Sequence, residues 1–159
     1  MTGPRRSREG LPLHDRALGL LAVRERSRRE LGDRLVQAGF DPQNVAEELD
    51  RLEAAGLVDD RRFAATFAED AARRLRGPRA VSASLAAKGV DRGVISEAVA
   101  ELAGSEEERA LELAHRRAAR LGSLPPETAY RRLQGLLARR GYEPALARSA
   151  AQRALGLET

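Results

Sequence analysis

The apolar positions of the chain follow a helical period along its whole length. Leucine, valine and alanine recur three or four residues apart, with arginine and acidic residues between them, as in helices that bury one face. Leu13, Ala17, Leu20 and Leu21 form the first such stripe. The pattern predicts an all-α protein of about eight or nine helices, with no strand.

One motif occurs three times and joins two helices each time. Two apolar residues four positions apart are followed by a glycine, an apolar residue and an acidic residue, in Leu31–Asp41, Val81–Asp91 and Leu133–Glu143. The glycine ends one helix because it accepts positive φ, and the acidic residue caps the next helix. A unit repeated about every 50 residues is typical of stacked helical arrays rather than of a globule with a catalytic cleft.

Capping residues predict where individual helices begin. Ser27-Arg28-Arg29-Glu30 and Ser105-Glu106-Glu107-Glu108 match the capping box, in which serine and glutamate side chains each accept from the other residue's backbone amide. The pair Asp59-Asp60 is predicted to cap a further helix. The residue after each repeat glycine (Phe40, Val90 or Tyr142) is predicted to pack into the corner between the paired helices.

The repeats divide the chain into three units and an arm. Residues 1–10 are predicted to be a disordered basic arm, since they are polar and rich in arginine. Residues 11–76 are predicted to form the first helical repeat with a leading helix, residues 77–122 the second, and residues 123–159 a shortened third. No apolar run approaches the roughly 20 residues of a membrane span, so no membrane contact is expected.

Composition argues against most catalytic chemistry. The chain has no cysteine, which excludes a disulfide framework, a thiolate metal site and a cysteine nucleophile. Its two histidines, His14 and His115, are predicted to be surface residues, because neither has another histidine at ligand spacing. No glycine-rich phosphate loop and no Gly-x-Ser-x-Gly motif occur. We therefore expect a protein that is not an enzyme and binds no cofactor or metal.

Charge alternates along the chain. The net charge is +4, and arginine supplies nearly all of the positive charge, since Lys88 is the only lysine. Residues 35–60 are mostly acidic, whereas residues 61–79 are mostly basic. A plain nucleic-acid binder tends to show one continuous basic stripe. Alternating charge suits a protein partner with mixed charges at least as well as it suits DNA. A general DNA-binding helical protein therefore stays as an alternative to a protein that binds another protein.

A winged-helix transcription regulator is a second alternative, because residues 30–59 read as helix, glycine turn and helix. A wing would need two strands after Val58, whereas the residues from Asp59 onward start another helix. The recognition helix in this interpretation, residues 42–55, is strongly acidic and would be repelled by phosphate. Both features disfavour a repressor that reads DNA.

Arginine clusters are the candidate contact surface for a protein partner or DNA, since guanidinium groups bind carboxylates and phosphates. The candidates are Arg24, Arg26, Arg28, Arg29, Arg73, Arg74, Arg76, Arg79, Arg131, Arg132, Arg139 and Arg140. Charge alone selects them, and solvation with complement to the helix dipole is the alternative explanation for each cluster. The same dipole complement accounts for Arg116, Arg117 and Arg120, at the end of a helix that begins with three glutamates.

Five segments, in a fixed order, match phrases of a known family. They are Ala17–Leu31, Leu35–Phe40, Leu57–Ala64, Arg76–Arg79 and Leu137–Tyr142. The first reads ALGLLAVRERSRREL against A-L-x-L-L-x-x-R-x-R-S-x-x-E-L, and the third reads LVDDRRFA against L-I/L-D/N-D-x-x-F-A. Together the segments span about residues 16–155. In these segments the chain resembles the RecX regulatory proteins, inhibitors of the bacterial recombinase RecA.

The RecX resemblance implies an all-α fold of three tandem three-helix repeats, elongated and curved. It implies a cytoplasmic bacterial protein that binds the RecA–DNA filament and lowers ATP hydrolysis, strand exchange and coprotease activity of RecA. DNA repair, homologous recombination and the SOS response are the processes implied. The family pattern of a basic residue before the repeat glycine holds at Lys88, whereas the first repeat has Ala38. We expect a monomer that binds single- or double-stranded DNA only weakly on its own.

Overall fold

The computed structural model describes residues 12–102 and 105–158, which form nine α-helices and no strand. The helices are α1 (Leu13–Val23), α2 (Arg28–Gln37), α3 (Pro42–Ala54), α4 (Asp60–Arg73), α5 (Pro78–Ala87), α6 (Arg92–Ala100), α7 (Glu106–Ala118), α8 (Pro126–Arg139) and α9 (Pro144–Leu155). The predicted all-α class is confirmed. None of these helices has the length and apolar character needed to cross a membrane. The predicted arm, residues 1–10, lies outside the described residues.

The described chain divides into two compact units. The first unit comprises residues up to Phe63 together with Lys88–Val90, and the second comprises Ala64–Ala87 and the residues from Asp91 onward. In the first unit α1, α2 and α3 pack on one another. In the second unit α7, α8 and α9 pack on one another, and α5 packs on α6.

Each unit buries the apolar residues of the repeat motif. Leu31 and Leu35 in the first unit and Leu133 and Leu137 in the second all have 0% exposure. Full burial of a leucine side chain contributes about 1.5–3 kcal/mol, so these positions anchor the helix pairs. The helical period therefore predicted these four core positions correctly.

The repeat glycines form the predicted helix ends. Gly39, Gly89 and Gly141 have φ values of 99°, 77° and 102°. The acidic residue two positions later then caps the following helix in each repeat, with its carboxylate accepting from backbone amides of the first turn. The residue between them packs into the corner as predicted, because Val90 and Tyr142 are buried and Phe40 is partly buried against the core of the first unit.

Two of the glycine corners contact the start of an earlier helix. In the first unit the Ser27 hydroxyl donates to the Lys88 carbonyl at 2.6 Å. In the second unit the Gly77 N–H donates to the Arg140 carbonyl at 2.7 Å. Ser27 and Gly77 occupy equivalent positions, each directly before a helix, and each acceptor directly precedes a repeat glycine. The repeats therefore share this contact as well as their sequence motif.

The corner of the second unit brings two backbones together at glycines. A Cβ atom on Gly77 would lie under 3.0 Å from the backbone of Gly141, and one on Gly141 would lie under 3.0 Å from the backbone N of Ala80. The neighbouring Tyr142 is 1% exposed, and its hydroxyl donates to the Leu75 carbonyl at 2.8 Å. A larger residue at either glycine would push the backbone around Gly77 away from the backbone around Gly141.

One predicted capping box is confirmed and the other is wrong. The Ser27 hydroxyl accepts from the Glu30 N–H, and the Glu30 carboxylate accepts from the Ser27 N–H, both at 3.2 Å. Ser105 makes no such cap. Its hydroxyl accepts instead from the buried guanidinium of Arg109, which also donates to the Leu102 carbonyl at 2.8 Å. The guanidinium competes for the serine oxygen and displaces the cap.

The two predicted capping aspartates, Asp59 and Asp60, accept from the amides of different helices. Asp59 caps α4 by accepting from the Arg62 N–H at 3.1 Å. Asp60 accepts instead from the Arg28 N–H at 2.8 Å. The first amides of a helix lack partners within it, so Asp60 satisfies one at the start of α2. The expectation that Asp60 caps its own helix was therefore wrong.

Glu48 is a buried carboxylate, with an exposure of 3%. Its Oε1 lies 2.5 Å from His14 Nδ1, and its Oε2 accepts from Arg51 at 3.0 Å. Burial raises the pKa of Glu48, but hydrogen bonds from His14 and then Arg51 outweigh it and hold the pKa below its ordinary value. His14 is exposed, as predicted, yet it links α1 to α3 through this carboxylate.

Glu48→Gln is expected to lower the free energy of unfolding by about 1–3 kcal/mol at neutral pH, because it weakens two hydrogen bonds to a charged group. The pKa of Glu48 is lower in the folded than in the unfolded state, so its contribution is present above about pH 4 and is lost as pH falls further. Wild type and variant should therefore converge in acid. Urea unfolding across pH, with the exposed neighbour Glu47→Gln as control, measures this, and equal effects of the two substitutions would contradict it.

Candidate partner and nucleic-acid interface

Two arginines of the first predicted cluster have carboxylate partners inside the first unit. Arg24 pairs with Glu30 at 3.2 Å. Arg28 pairs with Asp50 and with Glu53, both at 2.9 Å. Burial lowers the pKa of Arg28, but the hydrogen bond to Asp50 and the charge of Glu53 outweigh it, so the pKa lies above its ordinary value. These two guanidiniums link α2 to the end of α1 and to α3.

The other two arginines of this cluster pack against the backbone. Arg26 donates to the Leu20 carbonyl at 3.3 Å, and burial, followed by the neighbouring charges of Arg24 and Arg34, lowers its pKa. The Arg29 stem lies against Gly89, so close that a Cβ atom there would approach Arg29 Cδ to 2.6 Å. Both side chains therefore serve the packing of the first unit.

The second predicted cluster is divided between internal contacts and solvent. Arg73 pairs with Asp70. Arg76 donates to Ser84 Oγ at 2.8 Å, and its guanidinium lies over the Phe67 ring, 5.9 Å from the centroid. The remaining members, Arg74 and Arg79, are exposed.

Three of the four arginines in the third predicted cluster line a groove within the second unit. The groove has a volume of about 590 Å³. Its lining consists of Arg117, Arg120, Leu121, Arg131, Arg132, Leu136 and Arg139. The end of α7 and the residues after it supply the first three, and α8 supplies the others. We call this the arginine groove.

The five guanidiniums of the arginine groove have no counter-charge among the residues that the structure describes. Across residues 12–102 and 105–158, none of their side chains makes a hydrogen bond or an ion pair. Like charges gathered around one concave surface create a positive potential that attracts anions. Guanidinium forks bind carboxylates and phosphates through two parallel hydrogen bonds. An anionic group in the groove can therefore pair with these guanidiniums.

A second cavity of about 270 Å³ adjoins the arginine groove and shares Arg117 and Arg120 with it. Its other lining residues are Arg73, Arg74, Leu75, Leu113, Arg116 and Arg140. Several of these arginines have internal partners: Arg116 pairs with Glu112, and Arg140 donates to the Arg74 carbonyl. The unpaired charge is thus concentrated in the arginine groove itself.

Arg117 and Arg120 are absent from the predicted contact surface, because complement to the helix dipole already explains their positions. One signal could have identified Arg117. Leu113, Arg117 and Leu121 are spaced by four residues, so they lie on one face of α7 and its extension. An arginine in the middle of an apolar stripe is unusual unless that face opens into a cavity.

Three protein-family models match consecutive parts of the chain. Models of the first, second and third three-helix domains of RecX match residues 14–52, 59–99 and 105–151. The chain belongs to the RecX family. The three predicted tandem three-helix repeats are confirmed, and each RecX domain consists of a glycine-centred helix pair and the helix before it. The boundaries placed after residues 76 and 122 stay predictions.

Relatives in the RecX family are similar over most of their length. A protein of Mycobacterium sp. (strain KMS) named Regulatory protein RecX is 44% identical over 142 residues, which cover 84% of this chain and 76% of that protein. A protein of the same name from Xanthomonas oryzae pv. oryzae (strain MAFF 311018) is 39% identical over 140 residues, covering 87% of this chain and 86% of that protein.

Two crystal structures of RecX proteins share the fold. RecX from Lactobacillus salivarius superposes with a TM-score of 0.79 at 19% identity, covering 89% of this chain and 94% of that chain. A second regulatory protein RecX gives a TM-score of 0.78 at 21% identity, covering 92% of this chain and 70% of that chain. At these identities the similarity shows the fold alone.

Proposed function

We propose that this RecX-family protein binds the RecA–DNA filament and lowers ATP hydrolysis, strand exchange and coprotease activity of RecA. The match of all three RecX domains in tandem carries the proposal. The protein acts by binding, as a monomer, and needs no catalytic residue or cofactor. Such a role places it in the cytoplasm, in DNA repair, homologous recombination and the SOS response.

The architecture supports a filament as the partner. A filament presents the same surface repeatedly, and the chain repeats one helix pair at intervals of about 50 residues. The arginine groove supplies unpaired positive charge for carboxylates of the protein or for phosphates of the DNA. DNA is a second, weaker partner in this proposal. The winged-helix alternative loses support because α4, and not a strand, follows Val58.

Substoichiometric protein is expected to lower DNA-dependent ATP hydrolysis by RecA, because one bound molecule that spans several subunits affects more than one of them. A coupled ATPase assay at low salt measures the rate while the protein is titrated against a fixed RecA filament. Heat-denatured protein at equal concentration is the control for added charge. An unchanged rate at equimolar native protein would overturn the proposal.

A further inference from the structure

We propose that the arginine groove binds an acidic protein segment that also carries apolar side chains. The proposal rests on the proposed function, since it names the chemistry of the partner surface that a RecX-family regulator holds. The carboxylates of the segment pair with the five guanidiniums, and its apolar side chains lie on Leu121 and Leu136. The arginine groove combines both properties, because five arginines and two leucines line the same concave surface.

The positive charge of the groove lining is the reason to propose an acidic ligand. The lining of the arginine groove contains five arginines and no carboxylate, and the side chains of these arginines have no partner in the described part of the chain. An isolated group of like charges is destabilising to the folded protein, and an anionic ligand relieves that repulsion. Because Arg120, Arg131, Arg132 and Arg139 are exposed, their guanidiniums are free to turn toward an incoming carboxylate.

The two leucines of the groove lining are the reason to propose apolar side chains on the ligand. Leu121 and Leu136 pack against the core of the second unit, but each is only partly buried, and both line the groove. An apolar side chain that covers them gains roughly 25 cal/mol for each Å² of surface removed from water. A volume of about 590 Å³ lies within the usual range of ligand pockets, so the groove has room for such a side chain.

A glycine on α8 lies beside the side chain of one groove arginine. Gly135 lies inside α8, where glycine costs about 1 kcal/mol relative to alanine. A Cβ atom there would lie 3.2 Å from a terminal nitrogen of Arg139, which would have to move. The glycine thus leaves room for the Arg139 side chain to lie back along its own helix.

The lining favours an acidic segment over single-stranded nucleic acid. Proteins that bind single strands combine basic grooves with aromatic side chains on which the bases stack. The chain contains three phenylalanines and two tyrosines, and none of them lines the arginine groove. Leucines offer a base no comparable stacking surface, whereas they suit the aliphatic side chains of a peptide.

Fluorescence anisotropy with three labelled probes tests the proposal on the full chain. The probes are a peptide that alternates glutamate with leucine, a matched peptide with serine in place of leucine, and an oligothymidylate of equal charge. The leucine peptide is expected to bind about tenfold or more tightly than the serine peptide, equivalent to about 1.4 kcal/mol. Equal binding of the two peptides would show that apolar side chains add nothing to binding and would overturn that part of the proposal. Tighter binding of the oligothymidylate, with displacement of the peptide, would assign the groove to nucleic acid.

Paired charge variants locate the site. The double variant Arg132→Gln with Arg139→Gln removes two exposed groove arginines, and Arg92→Gln with Arg148→Gln removes two exposed arginines of the second unit that do not line the groove. The groove variant is expected to bind the leucine peptide about tenfold more weakly, and the control variant within about twofold of wild type. Equal losses in the two variants would show attraction by net charge alone and would refute the site.

The RecA ATPase assay on the same wild-type preparation separates the two proposals. Groove-dependent peptide binding without any effect on RecA would overturn the proposed function and leave the site standing. Inhibition of RecA by a protein that does not discriminate between the two peptides would leave the function standing and overturn the site.

Discussion

Gly141→Ala is expected to lower the free energy of unfolding by about 3 kcal/mol or more, at the upper end of single substitutions. Gly141 has a φ of 102°, where residues with a Cβ are strained. A Cβ atom there would also lie under 3.0 Å from Ala80 and from the Gly77 carbonyl oxygen. Neither neighbour can move independently, because the Gly77 N–H is bonded to the Arg140 carbonyl next to Gly141.

The first repeat supplies a matched control for this prediction. Gly39 has nearly the same φ, 99°, but nothing lies within 4 Å of a Cβ atom built on it. Gly39→Ala should therefore cost only the backbone strain, about 1–2 kcal/mol. Urea unfolding of the full chain, followed by helical circular dichroism, measures both variants. Equal costs would show that the contact between the two backbones in the second unit does not constrain the fold.

Tyr142→Ala is expected to cost about 3–5 kcal/mol, the usual penalty for removing a large buried aromatic side chain. Tyr142 is 1% exposed and belongs to the core of the second unit. Its hydroxyl also donates to the carbonyl of Leu75, a non-glycine residue with a φ of 59°. That conformation costs about 1–2 kcal/mol, and the tyrosine helps to hold it.

Tyr142→Phe separates the two contributions, because it keeps the ring and leaves the Leu75 carbonyl without its donor. We expect a loss of about 1–3 kcal/mol, the cost of an unsatisfied buried acceptor. Phe40→Ala, at the equivalent and partly buried position of the first unit, should cost less than Tyr142→Ala. The same unfolding measurements decide the order. A larger cost at Phe40 would contradict the assignment of Tyr142 as a principal core residue.

Local signals in the sequence predicted the helices, the glycine corners and the buried motif leucines. Each of these depends on residues close in the chain: the 3.6-residue period sets the buried face, positive φ favours glycine, and a carboxylate caps the amides just after it. Even here a local pattern failed at Ser105, because its hydroxyl is held by the buried guanidinium of Arg109. A serine before a helix can cap that helix or accept from another side chain. The sequence alone does not show which, because it does not show that Arg109 is buried.

Contacts between residues distant in the chain were not predictable from spacing. Glu48 meets His14, and Asp60 meets Arg28, over separations of 34 and 32 residues, and no repeat or periodicity links either pair. The arginine groove shows the same limit. Sequence clusters are formed by neighbours in the chain, so they grouped Arg131 with Arg140, whereas the packing of α7 on α8 groups Arg131 with Arg117 in space.

The hydrogen bond that joins two of the glycine corners to an earlier helix has no equivalent donor in the third helix pair. The position equivalent to Ser27 and Gly77 in the third pair is Ala129, which lies one turn inside α8. Its N–H already donates to the Pro125 carbonyl at 3.0 Å. A further corner, whether from a duplicated repeat or from a second molecule, would find no donor there. The extra helical turn at the start of α8 thus uses, inside its own helix, the amide that occupies the donor position of the second pair.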